Sequence, residues 1–242
     1  MAPVLQAMAE REDRAIEWDF PGSHDAWRAL QAGGADIGLI SFSPGEPMPD
    51  DSFRVVPVAW QAVMVLASTT VAINQISFAQ LAGVFGAEAG SDWQRWGDLG
   101  VAGDLAPRSI TPSVLERSAW PTLELSRHLV LRGRMSGSAL RPIRDEADLV
   151  ARLNSDEAGI ALAGWSPETP MGIKPLAISI EPGGVAFLPT SAAIERGDYP
   201  LQWPVYLVFR RTEVHRLYPW LRLLLSDETA HALSQSGLCH AT

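Results

Sequence analysis

The sequence predicts an α/β protein with partly parallel sheets, arranged in one or two lobes. Three observations carry this. Helical and extended stretches alternate along most of the 242 residues, the rhythm of βα units. Ile37-Gly38-Leu39-Ile40 is a short apolar run that suits a strand covered on both faces. The chain is also long enough to bury about three quarters of its unfolded surface, in one large core or two smaller ones.

Residues 2–14 read as a helix, with Val4, Leu5, Met8 and Ala15 at near-helical spacing. Residues 15–20 follow as a strand. Pro21-Gly22-Ser23 makes a turn, and Ser23 or His24 is placed to cap a helix over 25–32, which Gly33 and Gly34 end. A strand over 37–41 leads into a loop rich in proline and acid, then a long strand over 54–66, broken at Pro57. Ser77 caps a helix over 78–85. Residues 91–103, with Trp93 and Trp96 among glycines, read as loop.

A further helix lies within 112–133, with Leu123, Leu125, Leu129 and Val130 inward. Asp145 caps another over 145–154, burying Leu149, Val150 and Leu153. Residues 158–163 and 174–180 are strands. Pro189-Thr190 and a short helical run over 191–195 come next. Tyr199-Pro200 and Trp203-Pro204 then force an extended approach, because proline biases the residue before it away from the α region. Val205 to Phe209 has the β-branched and aromatic content of a buried strand. A helix follows around Tyr218-Pro219-Trp220.

Hydrophobic residues at 47% and charged residues at 19% describe an ordinary globular chain, and no apolar run reaches transmembrane length. The net charge of −9 argues against nucleic acid, whose phosphates are held by basic surfaces. It does not argue against a small anion, which backbone N–H groups and hydroxyls hold locally. Cys239, the single cysteine, excludes an intramolecular disulfide and a multi-cysteine metal site. The five histidines show no metal-ligand spacing, and the Gly-x-Ser-x-Gly elbow of hydrolases is absent. The expectation is a protein that is not an enzyme, without metal or cofactor. Residues 1–10 have neither a basic n-region nor a long apolar h-region, so no signal peptide is expected in this stretch.

Several segments occur together in an informative order. Ala32-Gly33-Gly34-Ala35-Asp36-Ile37-Gly38-Leu39-Ile40-Ser41 steps from a glycine turn into a strand that ends in serine. Pro57-Val58-Ala59-Trp60-Gln61-Ala62-Val63-Met64-Val65-Leu66 is a long apolar strand. Ile76-Ser77-Phe78-Ala79-Gln80-Leu81-Ala82-Gly83-Val84-Phe85 precedes Trp93, and Ala158-Gly159-Ile160-Ala161-Leu162-Ala163 and the run Gly197-Asp198-Tyr199-Pro200 through Arg211 follow later. Across most of residues 20–230 the chain resembles the substrate-binding proteins of phosphate ABC transporters, of the periplasmic-binding-protein-like class.

That resemblance implies two α/β lobes around a central cleft, joined by crossing strands over 54–66 and 174–180. Lobe 1 would hold residues 1–60 plus 178–242, and lobe 2 residues 63–175. It implies phosphate or a related oxyanion as ligand and an ABC transporter permease as partner. It also implies a periplasmic or extracytoplasmic location, with delivery by open–closed motion of the lobes. The alternative is a degenerate binding-protein fold, serving as a scaffold or accessory protein without high-affinity phosphate binding.

A tetrahedral oxyanion needs several converging donors, drawn from helix N-termini, hydroxyls and often an arginine. Gly22 and Ser23 match the family's glycine-serine loop, where the serine contacts the ligand; a plain helix cap is the competing reading. Ser41 matches the serine closing the Ala-Asp-Ile-Gly strand, against an ordinary strand-end hydroxyl. Ser118 stands for the serine of the second-lobe loop. Arg117 is a displaced candidate for its arginine, against a solvated arginine at a helix start.

There are departures. Phe42 occupies the place of a family arginine, an apolar wall where a charged donor is expected. Ala119 replaces a glycine, and Trp120-Pro121 obstructs the close approach that glycine permits. The family's first strand and its ligand loop have no counterpart here. Trp60, Trp93, Trp96, Trp120, Trp165 and Trp203 are placed to border the cleft, with core packing as the competing reading.

Overall fold

The computed structural model of the protein describes residues 6–7, 9–10, 17, 19, 22–42, 46–86, 93–115, 129–131, 140–155, 158–235 and 237–240. The elements run α1 (Ser23–Ala32), β1 (Ile37–Ile40), β2 (Phe53–Ser68), β3 (Gln75–Ser77), α2 (Phe78–Phe85), β4 (Thr111–Leu115), β5 (Arg141–Ile143) and α3 (Glu146–Ser155). They continue with β6 (Gly159–Gly164), β7 (Ile173–Pro175), β8 (Ala177–Ser179), α4 (Ser191–Glu195), β9 (Gln202–Arg210), α5 (Val214–Leu224), α6 (Asp227–Gln235) and β10 (Leu238–His240). They fall into two compact units, Met1–Gln61 with Trp203–Thr242, and Ala62–Gln202.

In the first unit β1 and β9 are antiparallel, from Ile37 opposite Phe209 to Ile40 opposite Tyr206. Residues 59–61 of β2 pair with β10. Because strand side chains alternate between faces, Ile40, Phe53 and Val208 share one face, which α1 covers with Leu30. Val58, Leu207 and Phe209 share the other, against Leu217 and Leu221 of α5. Full burial of each such side chain contributes roughly 1.5–3 kcal/mol. A Cβ at Gly38 would lie 2.7 Å from Ile40 Cδ1, so a larger residue there would displace the Ile40 side chain.

α1 ends at Gly33, whose φ of 77° closes the last turn. Its final carbonyls lack helical partners. Arg210 supplies them, donating to the Leu30 and Gln31 carbonyls while lying over the Phe53 ring at 5.0 Å. β2 does not break at Pro57, as expected from sequence, but runs through it. Pro57 is exposed and lies outside the residues that β10 pairs, a place where a missing N–H is tolerated.

In the second unit β6 is antiparallel to β2, with Val63 opposite Gly164 and Ala67 opposite Ile160. It is parallel to β4, which is parallel to β5. α3 packs on β5 and β6 with Leu149 and Leu153 buried. Its start is held by Asp145, whose carboxylate accepts the Asp148 N–H at 2.9 Å. α2 carries the expected Ser77 cap, completed into a reciprocal box by Gln80.

Four expectations differ from the structure here. Residues 174–180 are not one strand returning to the first lobe. β7 pairs with β2, Ser68 opposite Ile173, and β8 runs parallel to β3, Ile76 opposite Ile178; both partners lie in the second unit. That unit consequently extends to Gln202 instead of stopping at residue 175. Backbone bonds between Ile178 and Phe187 hold the added segment, as do Trp165 Nε1–H donating to the Pro189 carbonyl at 2.9 Å and the Tyr199 hydroxyl donating to the Val63 carbonyl at 2.6 Å. Thr111–Leu115, at the opening of the 112–133 stretch expected to contain a helix, forms β4; residues 116–128 of that stretch lie outside the described residues. Within 91–103, Trp96–Leu99 and Gly103–Leu105 are 3-10 turns, wound around a wholly buried Trp96.

Tyr199 is wholly buried, and burial pushes its phenol above the ordinary tyrosine value. The folded protein therefore keeps a proton that the unfolded chain releases near pH 10. This contribution is complete below that pH and declines above it, by about 1.4 kcal/mol per pH unit. Tyr199→Phe is expected to flatten the urea midpoint between about pH 10 and 11. At neutral pH it should cost about 1–3 kcal/mol, because the Val63 carbonyl loses its donor. A pH profile identical to the parent's would contradict this.

Candidate anion-binding site

Gly22 sets the turn into α1, with φ 90° and ψ 162°, a combination almost confined to glycine. It occupies the cap position itself. Ser23, expected as a capping side chain, is instead the first helical residue, and no side chain caps this helix. The Ser23 hydroxyl oxygen accepts the backbone N–H of Ser41 at 3.0 Å. Two candidate residues from separate elements thus meet, with Gly22 beside them.

This bond has a chemical consequence. With its oxygen accepting from Ser41, the Ser23 hydroxyl is left with its proton to donate. The first N–H groups of an α-helix have no intrahelical acceptor, and in α1 the ladder begins only where the Ala26 N–H meets the Gly22 carbonyl at 2.9 Å. The helix dipole adds partial positive charge at the same end. Ser23 and Ser41 are half-buried while His24 and Asp25 are exposed. Hydroxyl and backbone donors at a helix N-terminus suit a small anion.

The chain after Ser41 is anchored from below. Phe42 is buried in the α1-facing core, edge-on to Trp27 at 5.8 Å and 6.0 Å from the Tyr206 ring. Its carbonyl accepts the indole N–H of Trp203. The expected apolar wall is therefore a core side chain, turned inward because Trp27, Phe53 and Tyr206 offer it apolar surface. Asp36 is engaged by Arg216, which also pairs with Glu213. Both Arg210 and Arg216 are thereby committed elsewhere.

Asp25 sits on the first turn of α1, 4.0 Å from Arg28, with both side chains largely exposed. A carboxylate there uses the same positive helix end that an anion would, worth about 0.3–1 kcal/mol. Asp25→Asn should raise anion affinity roughly two- to five-fold, with the gain shrinking as salt is added. No gain at low salt would argue against an anion at this end.

Ser118 and Arg117 lie outside the described residues, as do Ala119, Trp120 and Pro121. Several of the described tryptophans are occupied in packing or hydrogen bonding. Trp96 and Trp165 are buried, and Trp93 lies so close to Gly83 that a Cβ there would come 2.6 Å from its ring. Sequence reasoning missed Trp27, missed that Trp203 holds the Phe42 carbonyl, and missed that Ser23 and Ser41 touch. The available signal was Gly22 itself, a glycine directly before the helix, which frees Ser23 from capping duty.

The first unit is a helix-covered sheet and the second a mixed sheet. No protein-family model matches the sequence. Protein SphX of Synechococcus elongatus is 25% identical over 155 residues, 63% of this chain and 45% of that protein. The match thus spans less than half the length of that curated relative. Among solved structures, a possible phosphate binding protein from Planctomyces limnophilus superposes with a TM-score of 0.79 at 17% identity, covering 99% of this chain and 89% of that one. An ABC-type phosphate transport receptor from Vibrio cholerae gives 0.72 at 14%, covering 100% and 96%. PstS from Borrelia burgdorferi gives 0.71 at 15%, covering 99% and 94%. The chain has the fold of these phosphate receptors, the periplasmic-binding-protein-like fold that the resemblance implied.

Proposed function

We propose that this protein is a substrate-binding protein for a small tetrahedral oxyanion, phosphate, which it hands to an ABC transporter permease outside the cytoplasm. The observation that carries this is the Ser23–Ser41 bond at the N-terminus of α1. It leaves the Ser23 hydroxyl proton free to donate at the positive end of α1, beside backbone N–H groups that lack intrahelical acceptors. The fold shared with phosphate receptors supports the choice of phosphate. Among the described residues no helix is long and apolar enough to cross a membrane. Arg117 and Ser118 remain proposed donors from the second unit.

Titration calorimetry tests the reading, on protein unfolded and refolded to strip carried-over ligand. Phosphate is expected to bind more tightly than sulfate. Ser23→Ala and Ser41→Ala should each weaken phosphate about ten- to a hundred-fold, the loss of a hydroxyl donor to a charged ligand. Phosphate binding unaltered in both variants would remove the site from the proposal, and no binding to the parent would remove the ligand.

A further inference from the structure

The second unit contains a cavity of about 270 Å³ between β3, the start of α2 and the turn after β8. It is smaller than the roughly 300–1,000 Å³ of sites for drug-sized molecules. Its polar groups are unusual in what they have left to offer. Gln80 Oε1 accepts both the Ser77 N–H at 2.9 Å and the Ser77 hydroxyl at 3.0 Å, so its NH₂ group remains as a donor. Asn74 Oδ1 accepts from Lys174 Nζ at 2.8 Å, which leaves the Asn74 NH₂ likewise.

Ser179 lines the same cavity and is only 2% exposed. Its hydroxyl meets no hydrogen-bond partner among the described residues. Its oxygen is not among the fully buried unpartnered side-chain atoms, so it stays open to a group entering the cavity that it lines. No carboxylate lines the cavity. Asp98, the chain neighbour of the lining residue Leu99, is turned to the N–H groups of Gln94 and Arg95. Lys174 adds a positive charge behind Asn74. Ile73, Leu99 and Pro182 supply the apolar part of the wall.

We infer that this cavity is a second binding site, for a small carboxylate with a short aliphatic body. Its oxygens take the hydrogens of Ser179, Gln80 and Asn74, and its carbons lie against Ile73, Leu99 and Pro182. The free amide hydrogens of Gln80 and Asn74 and the absence of a lining carboxylate favour an anionic end over an amine or a metal cation. The site is built wholly within the second unit and does not depend on the phosphate reading.

Equilibrium dialysis of the full chain against radiolabelled propionate tests this. Saturable binding is expected, with Kd on the order of millimolar for so few atoms. Gln80→Glu preserves the Ser-x-x-Glu form of the capping box, so the protein folds, but it replaces an NH₂ donor by a carboxylate. It should weaken propionate at least about ten-fold, the effect of losing one donor to a charged ligand and adding repulsion. Ser179→Ala should weaken it as well, while Ser23→Ala leaves it unchanged. Absence of saturable binding to the parent overturns the proposal, as does parental affinity in folded Gln80→Glu. Loss of propionate binding in Ser23→Ala would place the ligand on the first unit and overturn it equally.

Discussion

Leu30→Ala is expected to lower the stability of the protein by about 2–5 kcal/mol and to weaken anion binding in the molecules that remain folded. Leu30 is wholly buried in the cluster with Ile40, Phe42, Phe53 and Val208. Truncation removes its transfer energy and leaves a cavity whose walls are only partly free to collapse. The walls are constrained on several sides. Arg210 pins the Leu30 carbonyl, Gly33 turns the chain immediately after the helix, and Phe42 is fixed by Trp27. The same cluster joins α1, which carries Ser23, to the chain beside Ser41. A looser α1 therefore lengthens the Ser23–Ser41 bond. Urea denaturation measures the stability loss; a change below about 1 kcal/mol would contradict the packing described, since core leucine truncations do not cost so little.

Gly22→Val should produce the largest loss of phosphate affinity of any single change outside the donors, about ten- to a hundred-fold, equivalent to one misdirected charge-assisted donor. The strain of a β-branched residue at φ 90°, ψ 162° is of order 1–3 kcal/mol, and relieving it rotates the entry to α1. Crowding is not the cause, because a Cβ at Gly22 meets nothing within 4 Å. That separates conformation from contact. D-alanine introduced at this position by chemical ligation fits the mirror-image torsions and should retain parental affinity, whereas L-alanine should not. Equal affinities for the D and L forms would contradict the role assigned to this turn.

The sequence was most readable where a single short segment decides the structure. Gly33 ends α1, Ser77 with Gln80 starts α2 and Asp145 starts α3, each through bonds closed within a few residues. Val205 to Phe209 was legible because β-branched and aromatic residues suit a doubly covered strand; the observed β9 is longer at both ends. What failed depends on distant partners. Residues 174–180 read as one strand because all are extended, yet Ile173–Pro175 pairs with β2 and Ala177–Ser179 with β3, a division no local pattern contains. Pro112 opens the stretch expected to contain a helix, but parallel pairing with β6 draws it into β4.

At the candidate site, the serines were found through their place in motifs. Their contact was not legible, because Ser23 resembles a cap in sequence and becomes a bridge only when β1 ends beside it. Phe42 was misplaced for a related reason: its position in the motif suggested the site, while Trp27, Phe53 and Tyr206, distant in sequence, draw its ring into the core.

Amide chemical shifts of nitrogen-15-labelled protein, followed through a phosphate titration, test the central claim most directly. The amides of Ser23, His24 and Asp25 and that of Ser41 should move together and saturate at the Kd found by calorimetry, and in Ser23→Ala the Ser41 amide should lose most of its response. Phosphate binding that is calorimetrically saturable while these amides stay still, or shifts that matched sodium chloride reproduces in full, would contradict an anion seated at the start of α1.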